Sequence, residues 1–260
     1  MNKSDELLSQ ADAFIHGGSW YESAEIASLQ TLLEGAKSFA DVGSSIGPYS
    51  AAAASCLKNA KILALEAHPH TYEVLCRKME EIAPVCAERG NVIETVHAAA
   101  SNEEGTIDFY LSQSDVLTST MAPTEEASKE GMTKVSVRAV TLDQLYPETP
   151  PDFVKLDVEG VEWRVLAGAE KIHQKGKTRF LVEIHPWGDP SLGKRPSDVL
   201  SFMSERGYGI RRIHRHWLFE PGKASGSNHL KSVVYGFILN YPVLRKIARK
   251  VVERGGKHSS

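Results

Sequence analysis

Two apolar segments carry ionisable side chains at a spacing that could support proton transfer. In FVKLDVEG, Lys155, Asp157 and Glu159 occupy alternate positions of a predicted strand and therefore share one of its faces. In LVEIHP, a second predicted strand carries Glu183 and His185 in the same alternation. Because unpaired burial of such charges costs several kcal/mol, we expect the strands to be neighbours, with Lys155 paired to Glu183. Asp157 would then lie close to His185 at the carboxyl edge of the sheet, where ligands bind in open parallel sheets.

A glycine-containing turn follows the first predicted strand, in the stretch SFADVGSSIGPYSAAAAS. Its spacing is D-x-G-x-x-x-G over Asp41, Gly43 and Gly47, and Pro48 suits the first turn of the helix that follows. Dinucleotide sites use G-x-G-x-x-G and rest a pyrophosphate on the helix N-terminus. A carboxylate at Asp41 would repel that group and favour a cationic cofactor such as S-adenosylmethionine, which carries a sulfonium and an ammonium. An ordinary connection between strand and helix remains the alternative.

A second acidic residue stands where a nucleoside ligand would need it. Glu66 ends the predicted strand KILALE, about 20 positions after the first glycine, where a carboxylate can accept hydrogen bonds from both ribose hydroxyls. A surface carboxylate near a helix start is the alternative. Ala98 and Ala99, at the end of the third strand, are small enough for an adenine ring to lie against. The cofactor-binding residues that we expect are Asp41, Gly43, Ser44, Gly47, Glu66, Ala67, Ala98 and Ala99.

The ionisable cluster predicts a role in methyl transfer to a hydroxyl, because the acceptor must lose a proton as it attacks. A histidine polarised by a carboxylate is a suitable base near neutral pH. We expect catalytic residues at His185 as the base, Asp157 orienting it or positioning the acceptor, and Glu159 beside them. In one alternative, Asp157 holds only the methionine ammonium and positioning supplies most of the catalysis. In another, the three residues hold a divalent metal, but nothing else supplies a full ligand shell and we expect no metal.

Apolar strand-like runs alternate with helix-periodic segments, which predicts an α/β fold with helices on both faces of a mostly parallel sheet. The predicted strands are 38–43, 61–66, 91–97, 153–158 and 179–185, and the predicted helices are 48–58, 69–88, 161–175 and 195–206. TIDFYL (106–111) and KVSVRAV (134–140) predict additional strands. YGIRRIH (208–214) and SVVYGFIL (232–239) predict an antiparallel hairpin around the turn-rich PGKASGSN.

Composition limits the class of protein. The chain has 260 residues, 42% of them hydrophobic and 24% charged, which is typical of a globular protein with one main domain. We expect a helical extension over 1–36, the main domain over 37–240, and a basic helix and tail over 241–260. The formal net charge of −3 gives no general reason to expect a nucleic-acid partner. The first residues lack a signal-peptide pattern and no segment could span a bilayer, so we expect a cytoplasmic protein.

Taken together, these segments resemble the FkbM family of S-adenosylmethionine-dependent methyltransferases. The residues that carry the resemblance are DVGSSIG (41–47), LEAHPHTYEVL (65–75), HAAASNEEGTIDFY (97–110), VTLDQL (140–145), FVKLDVEGVEWRVLAGA (153–169) and LVEIHP (181–186). The resemblance implies a class I, Rossmann-like methyltransferase fold, doubly wound, with a seven-stranded sheet whose last strand is antiparallel. It also implies that Asp41, Gly43 and Gly47 cradle the methionine end, that Glu66 binds the ribose, and that 157–162 form the active-site edge.

The activity that the resemblance implies is O-methylation of a hydroxyl on a sugar, a glycolipid or a secondary metabolite. The acceptor would be a small molecule or glycan, and Trp187, His214, His216 and Trp217 are candidates for contacting it. Two alternatives come from other classes of protein. An NAD-linked oxidoreductase is disfavoured by the missing G-x-G-x-x-G, and a catalytically silent cofactor-binding or scaffold protein would keep the fold without turnover.

Overall fold

The computed structural model describes residues 23–111, 119–120 and 132–222. Its strands are β1 (Ser38–Val42), β2 (Lys61–Glu66), β3 (Val92–His97), β4 (Ala99–Ala100), β5 (Gly105–Leu111), β6 (Ser119–Thr120), β7 (Thr133–Val140), β8 (Phe153–Leu156), β9 (Arg179–Glu183), β10 (Tyr208–Ile213) and β11 (His216–Pro221). Its α-helices are α1 (Ser23–Leu32), α2 (Pro48–Cys56), α3 (Pro69–Arg89), α4 (Leu142–Leu145), α5 (Glu162–Ala167), α6 (Glu170–Lys175) and α7 (Pro196–Glu205), and Pro190–Leu192 form a 3₁₀ turn. No helix in these ranges is long and apolar enough to cross a membrane.

The main sheet has seven strands in the order β10-β11-β9-β8-β1-β2-β3. Strands β9, β8, β1, β2 and β3 pair in parallel, whereas β11 pairs antiparallel with both β9 and β10. The last strand of the described residues, β11, therefore inserts between two earlier ones. This topology confirms the prediction of a doubly wound, mostly parallel sheet with an antiparallel last strand.

Apolar residues cover both faces of this sheet, as expected for strands buried between helices. Ala40, Val42 and Val154 contribute to one hydrophobic cluster, together with side chains of α5, α6 and α7. Phe39 and Phe153 point to the other side, where α1, α2 and α3 pack. The alternation along β1 and β8 therefore assigns Asp41 and Lys155 to the face covered by α2.

A second, smaller sheet follows the third strand. Its order is β4-β7-β5-β6, and β5 pairs antiparallel with β7 along its whole length. The two additional strands predicted from alternation at 106–111 and 134–140 are therefore confirmed. Phe109 of β5 packs with Ala99 and Val137 in a small apolar cluster, and Ala67, which follows β2, packs against it. The smaller sheet therefore contacts the end of β2.

The helix predicted over 161–175 is two helices, α5 and α6. Asp143 of α4 explains the break. Its carboxylate accepts hydrogen bonds from the backbone N–H groups of Lys171 and Ile172 and so caps the start of a new helix. At the break, a side chain at Gly168 would collide with the carbonyl oxygen of Ser101. Close packing against the loop after β4 therefore requires glycine at this position.

The sequence pattern missed the strand that directly follows 208–213. Residues 208–213 pair antiparallel with β11, which starts at His216, after a two-residue turn. A non-glycine residue with positive φ, His214, occupies that turn. The segment 232–239, which the sequence pattern proposed as the partner, lies outside the described residues, as do most of the proposed 1–36 extension and the whole of 241–260.

The edge of the sheet opposite the strand carboxyl ends is tied together by one carboxylate. Asp152 Oδ2 accepts hydrogen bonds from the backbone N–H groups of Lys37 and Ser38, at 2.7 and 3.0 Å. The Ser38 hydroxyl in turn accepts a hydrogen bond from the Asp152 backbone at 2.9 Å. These bonds join the starts of β1 and β8.

Replacing this carboxylate should weaken the fold. We expect Asp152→Ala to lower the free energy of unfolding by about 1–3 kcal/mol, because hydrogen bonds to a charged acceptor are lost. Urea denaturation measures the change. Glu81→Ala, which removes an exposed carboxylate paired with Lys78, is the control and should stay within about 0.5 kcal/mol of the wild type. Equal effects of the two variants would contradict the role assigned to Asp152.

Candidate active site

A cleft with about 650 Å³ of empty space, part of it open solvent, lies at the carboxyl ends of β1, β2 and β8. Its lining residues are Gly43, Ser45, Leu65, Glu66, Ala67, His68, Thr71, Ala98, Ala99, Ala100, Phe109, Asp157, Val158, Glu159 and Val161. Five of the eight residues predicted to bind a cofactor are among them: Gly43, Glu66, Ala67, Ala98 and Ala99. Phe109 was not predicted, because alternation in TIDFYL identifies a strand but not the cleft that the strand borders.

Glu66 is nearly buried at the cleft wall, and its position is set by the backbone. Its two carboxylate oxygens accept hydrogen bonds from the backbone N–H groups of Ser45 and His68, both at 2.8 Å. Burial outweighs these hydrogen bonds and raises the pKa of Glu66 to about 7. The carboxylate therefore changes charge near neutral pH.

Gly43 allows two strands to approach each other at the cleft floor. Its φ is +74°, and a side chain there would overlap the backbone carbonyl of Asp157. The backbone N–H of Asp157 donates to the carbonyl of Val42 at 3.0 Å, which extends the pairing of β1 and β8 by one residue. The absence of a side chain at Gly43 thus positions the residue that follows β8.

Asp41, Ser44 and Gly47 do not line this cleft as the described residues define it. Asp41 is fully buried and accepts a hydrogen bond from the Ser50 hydroxyl at 2.7 Å. The Ser44 hydroxyl donates to the Asp41 carbonyl, also at 2.7 Å. A side chain at Gly47, whose φ is +92°, would collide with residues of α3. All three stabilise the turn itself, beneath the cleft.

The carboxylate of Asp41 is not a lone charge, as the reasoning from the sequence assumed. It lies opposite Lys155 in the register of β1 and β8, and the Lys155 Nζ is 3.8 Å from its Oδ1. The same ammonium is 3.4 Å from Oδ2 of Asp157 and 4.5 Å from the centre of the Tyr49 ring. Burial raises the pKa of Asp41, and the charge of Lys155 opposes that rise. The ion pair therefore cancels much of the negative potential of Asp41 that was expected to repel a pyrophosphate.

The predicted pairing of Lys155 with Glu183 is wrong. Lys155 has Leu181 as its register partner across β8 and β9. Glu183 instead contacts residues of β11 and the turn before it. Arg215 approaches its carboxylate at 3.2 Å and His216 at 3.7 Å. The antiparallel insertion of β11 beside β9 brings these two residues to Glu183.

Asp157, Glu159 and His185 come together at the carboxyl edge, as predicted. His185 Nε2 lies 3.7 Å from Oδ1 of Asp157 and 3.5 Å from Oε2 of Glu159. The route differs from the expected one, because β8 ends at Leu156 and Glu159 has a left-handed backbone with φ of +53°. The alternation of a strand does not reach Glu159, and the following turn directs it to the cluster.

Glu162 is a fourth member of this cluster that sequence reasoning missed as a partner of His185. Its Oε1 lies 2.6 Å from Nδ1 of His185 and accepts the backbone N–H of Gly160 at 2.9 Å. Its side chain is 1% exposed at the start of α5. Two signals in the sequence pointed to Glu162: the resemblance includes it in the active-site edge over 157–162, and it is a second acidic residue three positions after Glu159, which is common at a helix start.

The electrostatics of the cluster follow from this packing. Although burial acts to lower it, the hydrogen bond to Glu162 and the neighbouring carboxylates raise the pKa of His185 to about 9. Although burial acts to raise it, the positive charges of Lys155 and His185 hold the pKa of Asp157 below its usual value. Opposite charges within about 4 Å therefore stabilise one another at the cleft edge.

The candidate acceptor residues separate into two groups. Trp187 is 43% exposed, its ring centre is 4.9 Å from that of His185, and its Nε1 donates to the Glu159 carbonyl at 3.1 Å. His216 and Trp217, by contrast, are buried in the sheet. His214 lies in the β10–β11 turn and contacts the hydroxyl of Ser28. Of the four, Trp187 stands beside the cluster with an accessible ring.

Comparison with known sequences identifies relatives. A sequence model described as the methyltransferase FkbM domain matches residues 41–210. Methyltransferase sdnD of Sordaria araneosa is 27% identical over 205 residues, which are 68% of this chain and 75% of the relative. Hexuronic acid methyltransferase AglP of Haloferax volcanii is 32% identical over 168 residues, which are 64% of this chain and 60% of the relative. The chain therefore spans less than two thirds of AglP.

Comparison with solved structures finds similar chains at low identity. A methyltransferase FkbM from Methylobacillus flagellatus is 16% identical, with a TM-score of 0.48 over 71% of this chain and 43% of that chain. An O-methyltransferase from Bacillus cereus, in complex with SAH, is 13% identical, with a TM-score of 0.44 over 84% of this chain and 90% of that chain. The match over 41–210, rather than these two likenesses, bears on what the chain does.

The close approach at Gly43 generates a prediction about stability. We expect Gly43→Ala to be more destabilising than Gly176→Ala by at least about 1 kcal/mol, because only the first adds an overlap with backbone. Both glycines have positive φ, and a side chain at Gly176 meets nothing within 4 Å. The control thus carries the backbone strain alone, which costs about 1–2 kcal/mol. Thermal or urea unfolding measures the difference, and equal losses would contradict the packing at Gly43.

Proposed function

The chain belongs to the methyltransferase FkbM domain family and is an S-adenosylmethionine-dependent methyltransferase, and on that premise we propose that it methylates a hydroxyl group of a sugar or glycan. One observation carries the proposal. A single cleft contains both the nearly buried Glu66 at one wall and the carboxylates of Asp157 and Glu159 at another. A nucleoside-binding group and a proton-accepting group therefore face the same space.

The residues that line the cleft fit the cofactor in their chemistry. We assign Glu66 to the ribose hydroxyls, because its two oxygens, already oriented by backbone N–H groups, have lone pairs left to accept more hydrogen bonds. We assign the apolar wall of Ala98, Ala99 and Phe109 to the adenine. Asp157 and Glu159 then face the cationic end of the cofactor.

The solvent exposure and the pKa of each side chain in the cluster determine the catalytic role that we assign to it. When bound, S-adenosylmethionine supplies an electrophilic methyl group, and the electrons of the broken S–C bond remain on sulfur as the acceptor oxygen bonds to carbon. The acceptor proton passes to the carboxylate of Glu159, because burial raises its pKa whereas the pKa of Asp157 is held below its usual value. The two side chains are 30% and 21% exposed. His185, at 9%, lies behind them. The histidine expected from the sequence to be the base is therefore assigned here to hold both carboxylates in place.

Trp187 supports a sugar as the acceptor. An exposed indole beside the catalytic cluster offers an apolar face for the C–H surface of a sugar ring, and its Nε1 is already bonded to the Glu159 carbonyl, which fixes the ring. AglP, whose name describes a hexuronic acid methyltransferase, is a relative that acts on a sugar acid. We therefore favour a hexuronic acid or another glycan hydroxyl over a secondary metabolite. The NAD-linked alternative is set aside by family membership, and a silent protein is excluded if transfer is measured.

The assignment of Glu66 predicts a pH-dependent affinity for S-adenosylhomocysteine. The ionised carboxylate accepts hydroxyl donors better than the protonated form, and its pKa is about 7. Affinity should therefore fall as the pH drops through 7, by up to about tenfold between pH 8 and pH 6. Glu66→Gln should weaken binding by about 1–3 kcal/mol at pH 8 and flatten this profile. Calorimetric titrations over this pH range measure both effects, and an unchanged profile in the variant would remove Glu66 from the ribose.

The assignment of Trp187 predicts which acceptors are used. Labelled methyl groups should pass from S-adenosylmethionine to hexuronic acid glycosides, and the alkali-stable product identifies an ether rather than an ester. Trp187→Ala should raise KM for the glycoside about tenfold or more, since stacking on an aromatic ring contributes about 1 kcal/mol or more. Trp187→Phe, which keeps an aromatic face, should retain most of the affinity. Transfer to no sugar in a panel of uronic and neutral glycosides, with a folded and cofactor-binding protein, would overturn the proposed acceptor class.

A further inference from the structure

Three side chains at the cleft edge each offer one ligand atom to a common point. We propose that Asp157, Glu159 and His185 bind a divalent cation, of the Mg²⁺ or Mn²⁺ type. Their ligand atoms all lie within 4.8 Å of one another. Two carboxylates and one imidazole, without a cysteine, favour these cations over a tetrahedral zinc site. The inference extends the proposed function, but the binding of the cation itself does not depend on it.

The orientation of His185 supports this assignment. Glu162 binds its Nδ1 at 2.6 Å, and the remaining nitrogen, Nε2, faces Asp157 and Glu159. A carboxylate on one ring nitrogen is the arrangement that orients metal-binding histidines and directs the other nitrogen to the cation. Glu162 is itself anchored by the backbone of Gly160 and is almost completely buried. The imidazole is thus held in a position suited to a ligand.

Unfilled hydrogen-bonding capacity points to the same place. His185 is nine-tenths buried, and its Nε2 lies 3.5 and 3.7 Å from the two carboxylates, beyond the usual length of an N–H···O hydrogen bond. Oδ1 of Asp157 is buried and has no hydrogen-bond partner within the described ranges. Buried oxygens of this kind are rare, because each costs about 1–3 kcal/mol. A cation bound between these atoms would satisfy both.

The charge of the surroundings favours a cation. Within the described ranges, the carboxyl groups of Asp41, Asp157, Glu159 and Glu162 lie near three basic side chains, Lys155, His185 and His216. Burial lowers the pKa of His216 to about 3, so this histidine adds little positive charge. Lys155 is shared between Asp41 and Asp157, and Glu159 faces His185 at 3.5 Å. An acceptor hydroxyl that takes an open position on the cation would have its pKa lowered. The ammonium of the methyl donor is the competing occupant of this region.

Titration of Mn²⁺ into the full-length chain, after removal of metal with EDTA, tests the site. We expect one Mn²⁺ per chain by electron paramagnetic resonance and calorimetry, with displacement by excess Mg²⁺. Glu159→Gln should weaken Mn²⁺ binding at least tenfold, and Glu162→Gln should weaken it about 10–100-fold through His185. Glu183→Gln, which alters a carboxylate on the same strand end but outside the cluster, is the matched control and should bind Mn²⁺ within about twofold of the wild type.

The same titrations in saturating S-adenosylhomocysteine separate the possible outcomes. Retained Mn²⁺ binding supports the proposal, whereas its loss would show that the carboxylates hold the ammonium of the cofactor and would overturn it. Absence of Mn²⁺ binding to the wild type, or equal binding to Glu159→Gln, would also overturn it. If Mn²⁺ binds but S-adenosylhomocysteine does not, the proposed function fails while the metal site stands. A rise in the thermal midpoint of the wild type with added Mn²⁺, absent in Glu159→Gln, checks that the folded chain is the binding species.

Discussion

The buried ion pairs between β1 and β8 are the constraint on which the site depends. Asp41 and Lys155 are register partners and almost completely shielded from solvent, where an unpaired charge would cost several kcal/mol. Because Lys155 also contacts Asp157, the same ammonium that neutralises the sheet interior reaches the first residue of the cleft edge. The register of β1 and β8 therefore determines the position of Asp157 at the cleft edge.

Backbone groups position one wall of the cleft at this edge, and side chains position the other. Backbone groups hold Glu66, since its oxygens accept N–H groups from the turn after β1 and the start of α3. Side chains hold the opposite wall, where Glu162 fixes His185 and His185 faces Asp157 and Glu159. Hydrogen bonds from the backbone do not depend on the side chains of the donor residues. The wall held by side chains, by contrast, can be changed by single substitutions.

Part of this arrangement could be predicted from sequence, because alternation and the ends of parallel strands are local features. Most strands of the main sheet, the position of Glu66, and the meeting of Asp157 with His185 followed from them, whereas β11 did not. The partner of Glu183 did not, because Arg215 and His216 reach it only after β11 inserts beside β9. The helix break at Gly168 was also hidden, since it depends on a capping carboxylate, Asp143 of α4, that is distant in the sequence.

The sequence by itself determined the fold class and the acidic residues at the two walls of the cleft, Glu66 at one and Asp157 with Glu159 at the other. Hydrophobic periodicity and residue type determine these features because they act over a few neighbouring positions. Only the tertiary structure decided which residues face the ligand space. Asp41 lies below the cleft, paired with Lys155, and Glu162 stands behind His185. The physical reason is that a charge is buried only with its partner, and partners are chosen by strand register and by the turns after the strands, which sequence spacing does not specify.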